Sequence, residues 1–190
     1  MMKKKNCIDS TRCATGVKNM KKTKLMATTG MLTALYFVLS ALLKIPVAGN
    51  IKLDLGYIAL AVGAVCLGAI PATIIGAGGV LIESLLMSQR GVSPGWILMN
   101  AIVGFACGLV LHKAVNGPSK QFWLKAVAVV SLSMLAGVAV KTVIDCLMYG
   151  LMPAAKIPTA LVACALDSFV MLLLGIPISL GLKKRLRSLI

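Results

Sequence analysis

Apolar residues occupy most of this chain in a few long, nearly uncharged runs. As a single helix, the run 55–87 would be about 50 Å long, well beyond a hydrocarbon core of about 30 Å. Pro71, which follows Gly68, divides it, because proline starts a helix more readily than it continues one. The pattern therefore predicts six membrane-spanning helices, near residues 25–43, 55–70, 72–88, 95–111, 122–147 and 158–182.

A different pattern separates the first two spans. In "GNIKLDLGYI", residues 49–58, apolar Ile51, Leu53 and Leu55 alternate with charged Lys52 and Asp54. A period of two is typical of an extended segment with one apolar and one polar face. Non-helical backbone is tolerated in membrane proteins where it meets water or lines a cavity. We therefore expect a short extended lid over a site, with either face toward the ligand.

Composition and charge support an all-α integral membrane protein. Of 190 residues, 59% are hydrophobic and 13% charged, whereas soluble proteins have about a quarter charged. Most of the 20 basic residues fall on one side of a six-helix topology, so the positive-inside rule predicts cytoplasmic termini in the plasma membrane. This arrangement explains the net charge of +15 without nucleic-acid binding. The expected organisation is a disordered basic tail (1–24), a transmembrane binding domain (25–182) and a second basic tail (183–190).

Polar side chains inside the runs are few and fall mainly toward the outer side. Glu83 lies in the outer half of span 3, and Asp167 lies near the middle of span 6. Ionisable groups within a membrane usually face the bundle interior and mark a site. The other candidates for an outward-opening polar cup are Trp96 and Asn100 in span 4, and Lys141 and Asp145 in span 5.

A structural role is the alternative for several of these residues. Lys141 could pair with Asp145 or Asp167 as an internal brace. Glu83 could be a brace or lie at the interface, and Trp96 alone is typical of an interface anchor.

The chain lacks the residue groupings of an enzyme or a metal site. Its six cysteines have no zinc-ligand spacing, and His112 is its single histidine. No nucleophile–base pair and no G-x-x-x-x-G-K-[ST] motif occur, so we expect no catalysis, no metal and no cofactor in this chain. Any ATP would be used by partner subunits.

The first span carries small residues at helical spacing. Ala27, Gly30 and Ala34 would permit close helix–helix approach. They could pack within the bundle or form a docking surface for a partner protein.

Taken together, these segments resemble the S component of an energy-coupling-factor (ECF) vitamin transporter. The resemblance covers about residues 20–185. It is carried by "MATTGMLTALYFVLSALL", "GNIKLDLGYI", "LGAIPATIIGAGGVLIESL" and "SPGWILMNAIVGFACGLVL". It implies a six-helix subunit that binds a vitamin from outside and topples in the membrane. Its implied partners are a transmembrane coupling protein and two cytoplasmic ATPases.

The resemblance also implies roles for residues. Asn50, Lys52 and Asp54 would cap the site, and the outer ends of spans 4 to 6 would line it. The Ala27, Gly30 and Ala34 face would dock on the coupling protein, although the family's usual pattern has alanines four apart.

The ligand class stays open at this point. The segments look nearest to folate-type and riboflavin-type S components, while pantothenate or a queuosine precursor remain alternatives. A self-sufficient proton-coupled carrier, with Glu83 or Asp167 as its proton site, is the competing function.

Overall fold

The computed structural model describes residues 5–43, 45–48, 51–87, 92–114, 120–150 and 153–189, and it describes no side chain in 5–21, 45–52, 153–156, 159 or 183–189. The described part is helical apart from one hairpin. The helices are α1 (Lys5–Leu42), α2 (Gly56–Cys66), α3 (Ala69–Met87), α4 (Pro94–Ala114), α5 (Lys120–Tyr149), α6 (Pro153–Val170) and α7 (Ile176–Leu189). The strands are β1 (Ile45–Ala48) and β2 (Ile51–Leu53).

Six helical units account for the predicted spans, because α6 and α7 are joined without a break by a π-helical segment, Met171–Gly175. Five helices of the described part are long and apolar enough to cross a membrane. The chain is therefore a multi-pass membrane protein. The second predicted span, expected to be short and near 55–70, is α2, an apolar helix of 11 residues and about 16 Å.

The first helix is longer than predicted. α1 begins at Lys5, so the backbone of residues 5–24 is helical where a disordered tail was expected. Residues 5–24 contain no proline and a single glycine, Gly16, so no strong helix breaker interrupts this stretch.

The short α2 is the centre of the bundle. Its residues from Ala59 to Val65 are almost completely buried, and α1, α3, α4 and α7 all pack against it. The helix ends in a turn in which Gly68 adopts φ +96°, a conformation that glycine reaches without steric cost. His112 Nδ1 on α4 donates a hydrogen bond of 3.1 Å to the Val65 carbonyl oxygen. This bond gives a partner to one of the carbonyl groups that the last turn of α2 leaves without an intrahelical donor.

The turn between α2 and α3 is crossed closely by α4. A Cβ at Gly108 would lie 2.5 Å from the Ala69 Cα, and one at Gly104 would lie 2.5 Å from the Ala72 carbonyl oxygen. Since Gly104 and Gly108 are four residues apart, they share one helix face and let the two backbones touch. The two glycines therefore allow α4 to pack directly against the beginning of α3.

The π-helical segment has a local cause. Pro177 follows it and has no backbone N–H, so a regular helical ladder cannot continue through this position. The backbone instead widens, and Ile176 N–H bonds to the Met171 carbonyl. Widening changes the face that the helix presents, and Gly175 packs against Ala61 of α2.

The extended segment predicted between spans 1 and 2 is present as half of a hairpin. β2 pairs antiparallel with β1, with Ile45 opposite Leu53, and the register shifts between Pro46 and Ala48. β2 also packs against α6. Asn50 lies outside the described residues, as does the side chain of Lys52.

Candidate ligand-binding site

Four polar residues from distant parts of the chain meet where the hairpin joins the bundle. We call Ser40, Asp54, Glu83 and Asp167 the lid cluster; Ser40, Asp54 and Asp167 are buried, and Glu83 is half-buried. Ser40 Oγ lies 3.0 Å from Asp54 Oδ2 and 2.6 Å from Glu83 Oε2. One hydroxyl on α1 therefore links the segment after β2 to α3.

Asp54 connects the hairpin to two further helices. Its backbone N–H donates to Asp167 Oδ1 on α6 at 3.3 Å. Its own Oδ1 accepts from the backbone N–H of Gly56 at 2.8 Å, in a turn that begins α2. The positive end of the α2 helix dipole also stabilises a carboxylate at this position. Asp54 thus anchors the hairpin and starts the central helix.

A second polar group lies beside the lid cluster. Tyr36 on α1 donates its hydroxyl to Asn100 Oδ1 on α4 at 3.1 Å, and Asn100 Nδ2 donates to the Trp96 carbonyl at 3.0 Å. The ring of Tyr57 on α2 meets that of Tyr36 edge-on, with centroids 6.5 Å apart. Tyr36, Tyr57 and Asn100 are fully buried, so a polar interior continues from the hairpin toward α4.

The third group joins α4 to α5. Lys141 donates to Asp145 Oδ2 at 3.0 Å, and its Nζ lies 5.2 Å from the centroid of the Trp96 ring. A Cβ on Gly95 would lie 3.1 Å from both the Lys141 carbonyl oxygen and Asp145 Oδ1, so glycine permits this close approach. Lys141 therefore has its counter-ion on its own helix.

The predicted site residues thus divide between these groups. Asp54, Glu83 and Asp167 meet in the lid cluster, Asn100 joins the two tyrosines, and the remaining described residues form the α4–α5 contact: Trp96, Lys141 and Asp145. Of the two carboxylates expected as partners for Lys141, Asp145 forms an ion pair with it. No three His, Cys, Asp or Glu side chains within the described ranges are placed to hold a metal ion.

Three buried polar residues of the site were not predicted. Tyr36 and Ser40 are four residues apart on α1, so they lie on the same face of an otherwise apolar helix. This polar spacing is the sequence feature from which the two residues could have been predicted. Tyr57 belongs to the "GNIKLDLGYI" segment itself and begins α2. Nothing in the local pattern distinguishes it from an aromatic core residue.

The small-residue face of α1 points away from the bundle. Ala27, Gly30 and Ala34 are exposed, and a Cβ added at Gly30 would meet nothing within 4 Å. Tyr36 and Ser40 lie on the buried face of the same helix. The exposed face continues in Met31, which is 74% exposed, and Leu35, which is 46% exposed.

A separate apolar groove of about 370 Å³ opens between α5 and α6. Leu135 of α5 and Leu161, Cys164 and Phe169 of α6 contribute to its walls. It contains none of the predicted ionisable residues.

The fold and these contacts define a helical membrane protein in which the end of an extended hairpin is bonded to buried polar residues of the bundle. The family model of the ECF-type riboflavin transporter, S component, matches residues 20–184. The chain therefore belongs to this family, which consists of transporter components and not of enzymes. The resemblance to ECF S components stated from the sequence is confirmed.

Two curated relatives are similar over part of the chain. A UPF0397 protein of Onion yellows phytoplasma (strain OY-M) is 32% identical over 109 residues, which cover 57% of this chain and 56% of the relative. A UPF0397 protein of Aster yellows witches'-broom phytoplasma (strain AYWB) is 34% identical over 91 residues, covering 48% and 47%. The chain thus spans about half the length of the curated relatives it matches.

Proposed function

We propose that this protein is the substrate-binding subunit of an ECF-type importer and that it captures a riboflavin-like vitamin from outside the cell. The observation that carries the proposal is the attachment of Asp54 to Ser40, Gly56 and Asp167, which joins the end of the hairpin to buried polar residues, as expected for a lid over a binding site. A covered polar interior in an apolar bundle is otherwise costly, and it is expected where a solute binds.

The match to the riboflavin S-component family favours a riboflavin-like vitamin over a folate-like one. Riboflavin presents hydroxyl and ring N–H donors, for which the oxygens of Asp54, Glu83 and Asp167 are suitable acceptors. Folate-like vitamins are the alternative ligand class.

Partner subunits would supply the energy. The chain has no P-loop motif, so ATP would be hydrolysed by two cytoplasmic ATPases that act through a transmembrane coupling protein. The exposed Ala27, Gly30 and Ala34 face of α1 supports docking of that coupling protein, since small residues allow close packing between membrane helices. Both termini would be cytoplasmic, which places the hairpin outside.

Purification followed by mass spectrometry tests the ligand directly. The protein is extracted from cells grown with riboflavin and folate, and the small molecules released on denaturation are identified. Riboflavin should co-purify, and a titration that follows quenching of flavin fluorescence should saturate. Release of folate alone, with no flavin quenching, would contradict the proposal.

A proton-coupled carrier is the second candidate function, and one observation favours it: Asp54 and Glu83 each have a carboxyl oxygen within hydrogen-bond distance of Ser40 Oγ, which brings two ionisable groups together. Liposomes that contain only this protein separate the two functions. Riboflavin uptake driven by a proton gradient would support the carrier. Uptake that requires the coupling protein and ATP would support the importer.

A further inference from the structure

The apolar groove between α5 and α6 opens on the outer surface of the bundle. Leu135, Leu161 and Phe169 line it and are exposed, and all three belong to helical segments long and apolar enough to cross a membrane. The lining is mostly apolar, and the Ser168 hydroxyl donates within α6 to the Cys164 carbonyl oxygen at 2.7 Å. Since apolar cavities do not hold water, a hydrocarbon chain is the occupant that suits this groove.

The groove continues along α5 to a lysine. Four residues of α5 are separated by intervals of four and seven positions, so they share the helix face that lines the groove: Lys120, Leu124, Ser131 and Leu135. Lys120 and Leu124 are both exposed. An apolar surface therefore leads from the groove to a cation at the start of the helix.

The length of this surface matches one leaflet of a bilayer. From Lys120 to Ser131 the helix rises about 16 Å, and half of a hydrocarbon core is about 15 Å. A lipid whose headgroup lies at Lys120 would thus have an acyl chain long enough to reach the groove. A lysine at headgroup level favours a lipid with net negative charge, because membrane-surface cations are attracted to anionic headgroups.

We infer that the groove between α5 and α6 binds one acyl chain of an anionic phospholipid whose phosphate is held by Lys120. The bound chain packs between the two helices and supplies dispersion contacts along the open groove. The groove lies apart from the lid cluster, so the inference does not depend on which vitamin the protein binds.

Two pairs of variants test the groove and the lysine separately. Ala165→Trp fills the groove, and Ala136→Trp, at an exposed position of α5 that does not line the groove, is its control. Lys120→Gln removes the proposed phosphate contact. Lys125→Gln removes the same charge from another exposed position of α5, on a face turned by about 140°.

Each full-length variant is purified in detergent, stripped of lipid and titrated with palmitoyl-oleoyl phosphatidylglycerol or with the phosphatidylcholine that has the same chains. Native mass spectrometry counts the lipids that stay bound, and thermal unfolding without lipid verifies that each variant is folded. The wild type should retain one phosphatidylglycerol about fivefold more tightly than phosphatidylcholine, the factor expected for one lysine at a membrane surface.

The two test variants should differ in what they lose. Lys120→Gln should bind both lipids with equal affinity, because the groove is intact and the preference for negative charge is gone. Ala165→Trp should weaken both lipids about tenfold or more, the factor that the loss of about two buried methylene groups produces. Ala136→Trp and Lys125→Gln should bind both lipids as the wild type does.

Three results would overturn the inference. They are equal retention of the two lipids by the wild type, a loss of preference in Lys125→Gln as large as that in Lys120→Gln, and unchanged lipid binding in folded Ala165→Trp. A lipid-free dimer that disappears with Ala165→Trp would also overturn it, by assigning the groove to a second copy of the chain. If Ala165→Trp does not fold, the two lysine variants decide, since both lysines are exposed.

Discussion

Ser40 and Asp54 are joined by a hydrogen bond of 3.0 Å, and through it α1 holds the end of the hairpin. The serine lies on a membrane-spanning helix, and the aspartate lies between β2 and α2. The bond therefore links the segment after β2 to the bundle. If the hairpin covers the binding site, as proposed above, Ser40 would act as its latch.

Replacement of Ser40 by alanine should loosen the hairpin. The variant loses its contacts with Asp54 and Glu83, so the free energy of unfolding should fall by about 1.5–3 kcal/mol, the range for hydrogen bonds to charged groups. Flavin dissociation, followed by recovery of flavin fluorescence on dilution, should become faster. Ser131→Ala, in the groove between α5 and α6, is the control and should behave as the wild type. Equal dissociation rates in the two variants would refute the latch.

Asp54 should affect both folding and binding. Asp54→Ala removes the acceptor for the Gly56 N–H and the bond to Ser40, so melting temperature and flavin affinity should both decrease. Asp54→Asn keeps an Oδ1 acceptor and should lose less stability than the alanine variant. Thermal unfolding monitored by size-exclusion chromatography measures the difference. A melting temperature of Asp54→Ala equal to that of the wild type would show that the residue is a ligand contact alone.

The Lys141–Asp145 pair should be a brace between α4 and α5. Lys141→Met leaves Asp145 buried beside Gly95 without its counter-ion, and it should cost about 1–3 kcal/mol of stability because the lysine is partly solvated. In a double-mutant cycle, Lys141→Met combined with Asp145→Asn should be less destabilising than the sum of the single changes. Additive effects would show that the two side chains act independently.

The exposed face of α1 should matter only in the assembled transporter. Gly30→Leu adds a side chain into open space, so it should preserve the melting temperature and flavin affinity of the isolated protein. It should abolish co-purification of the coupling protein by blocking close helix approach. Gly181→Leu on α7, also in open space, is the matched control and should retain the partner. Normal co-purification with Gly30→Leu would move the docking surface elsewhere.

Local pattern sufficed for much of the fold. The division of 55–87 near Pro71 follows from the limits that glycine and proline place on the backbone, and the turn with Gly68 at φ +96° lies there. The alternation around Leu53 identified β2, because side chains of a strand alternate between two faces. The partner strand β1 was not predicted, since a run of four apolar residues can equally end a helix.

The candidate site could be predicted from the sequence to a smaller extent than the fold. Sequence alone identified Asp54, Glu83 and Asp167 as buried-site candidates, because charges are costly inside a membrane. It could not show that Ser40 links two of them, since this contact depends on how separate helices face one another.

Hydrophobic periodicity, the Gly68–Pro71 break and the charge distribution by themselves determined that this chain is a helical membrane protein with an extended segment after its first span. Only the tertiary structure decided that α2 is a short buried centre and that the Asp54 N–H meets Asp167, 113 positions away. The physical reason is the distance along the chain over which each effect acts. Backbone propensity and hydrophobic patterning are properties of a few neighbouring turns, whereas hydrogen-bond partners depend on how helices far apart in sequence pack together.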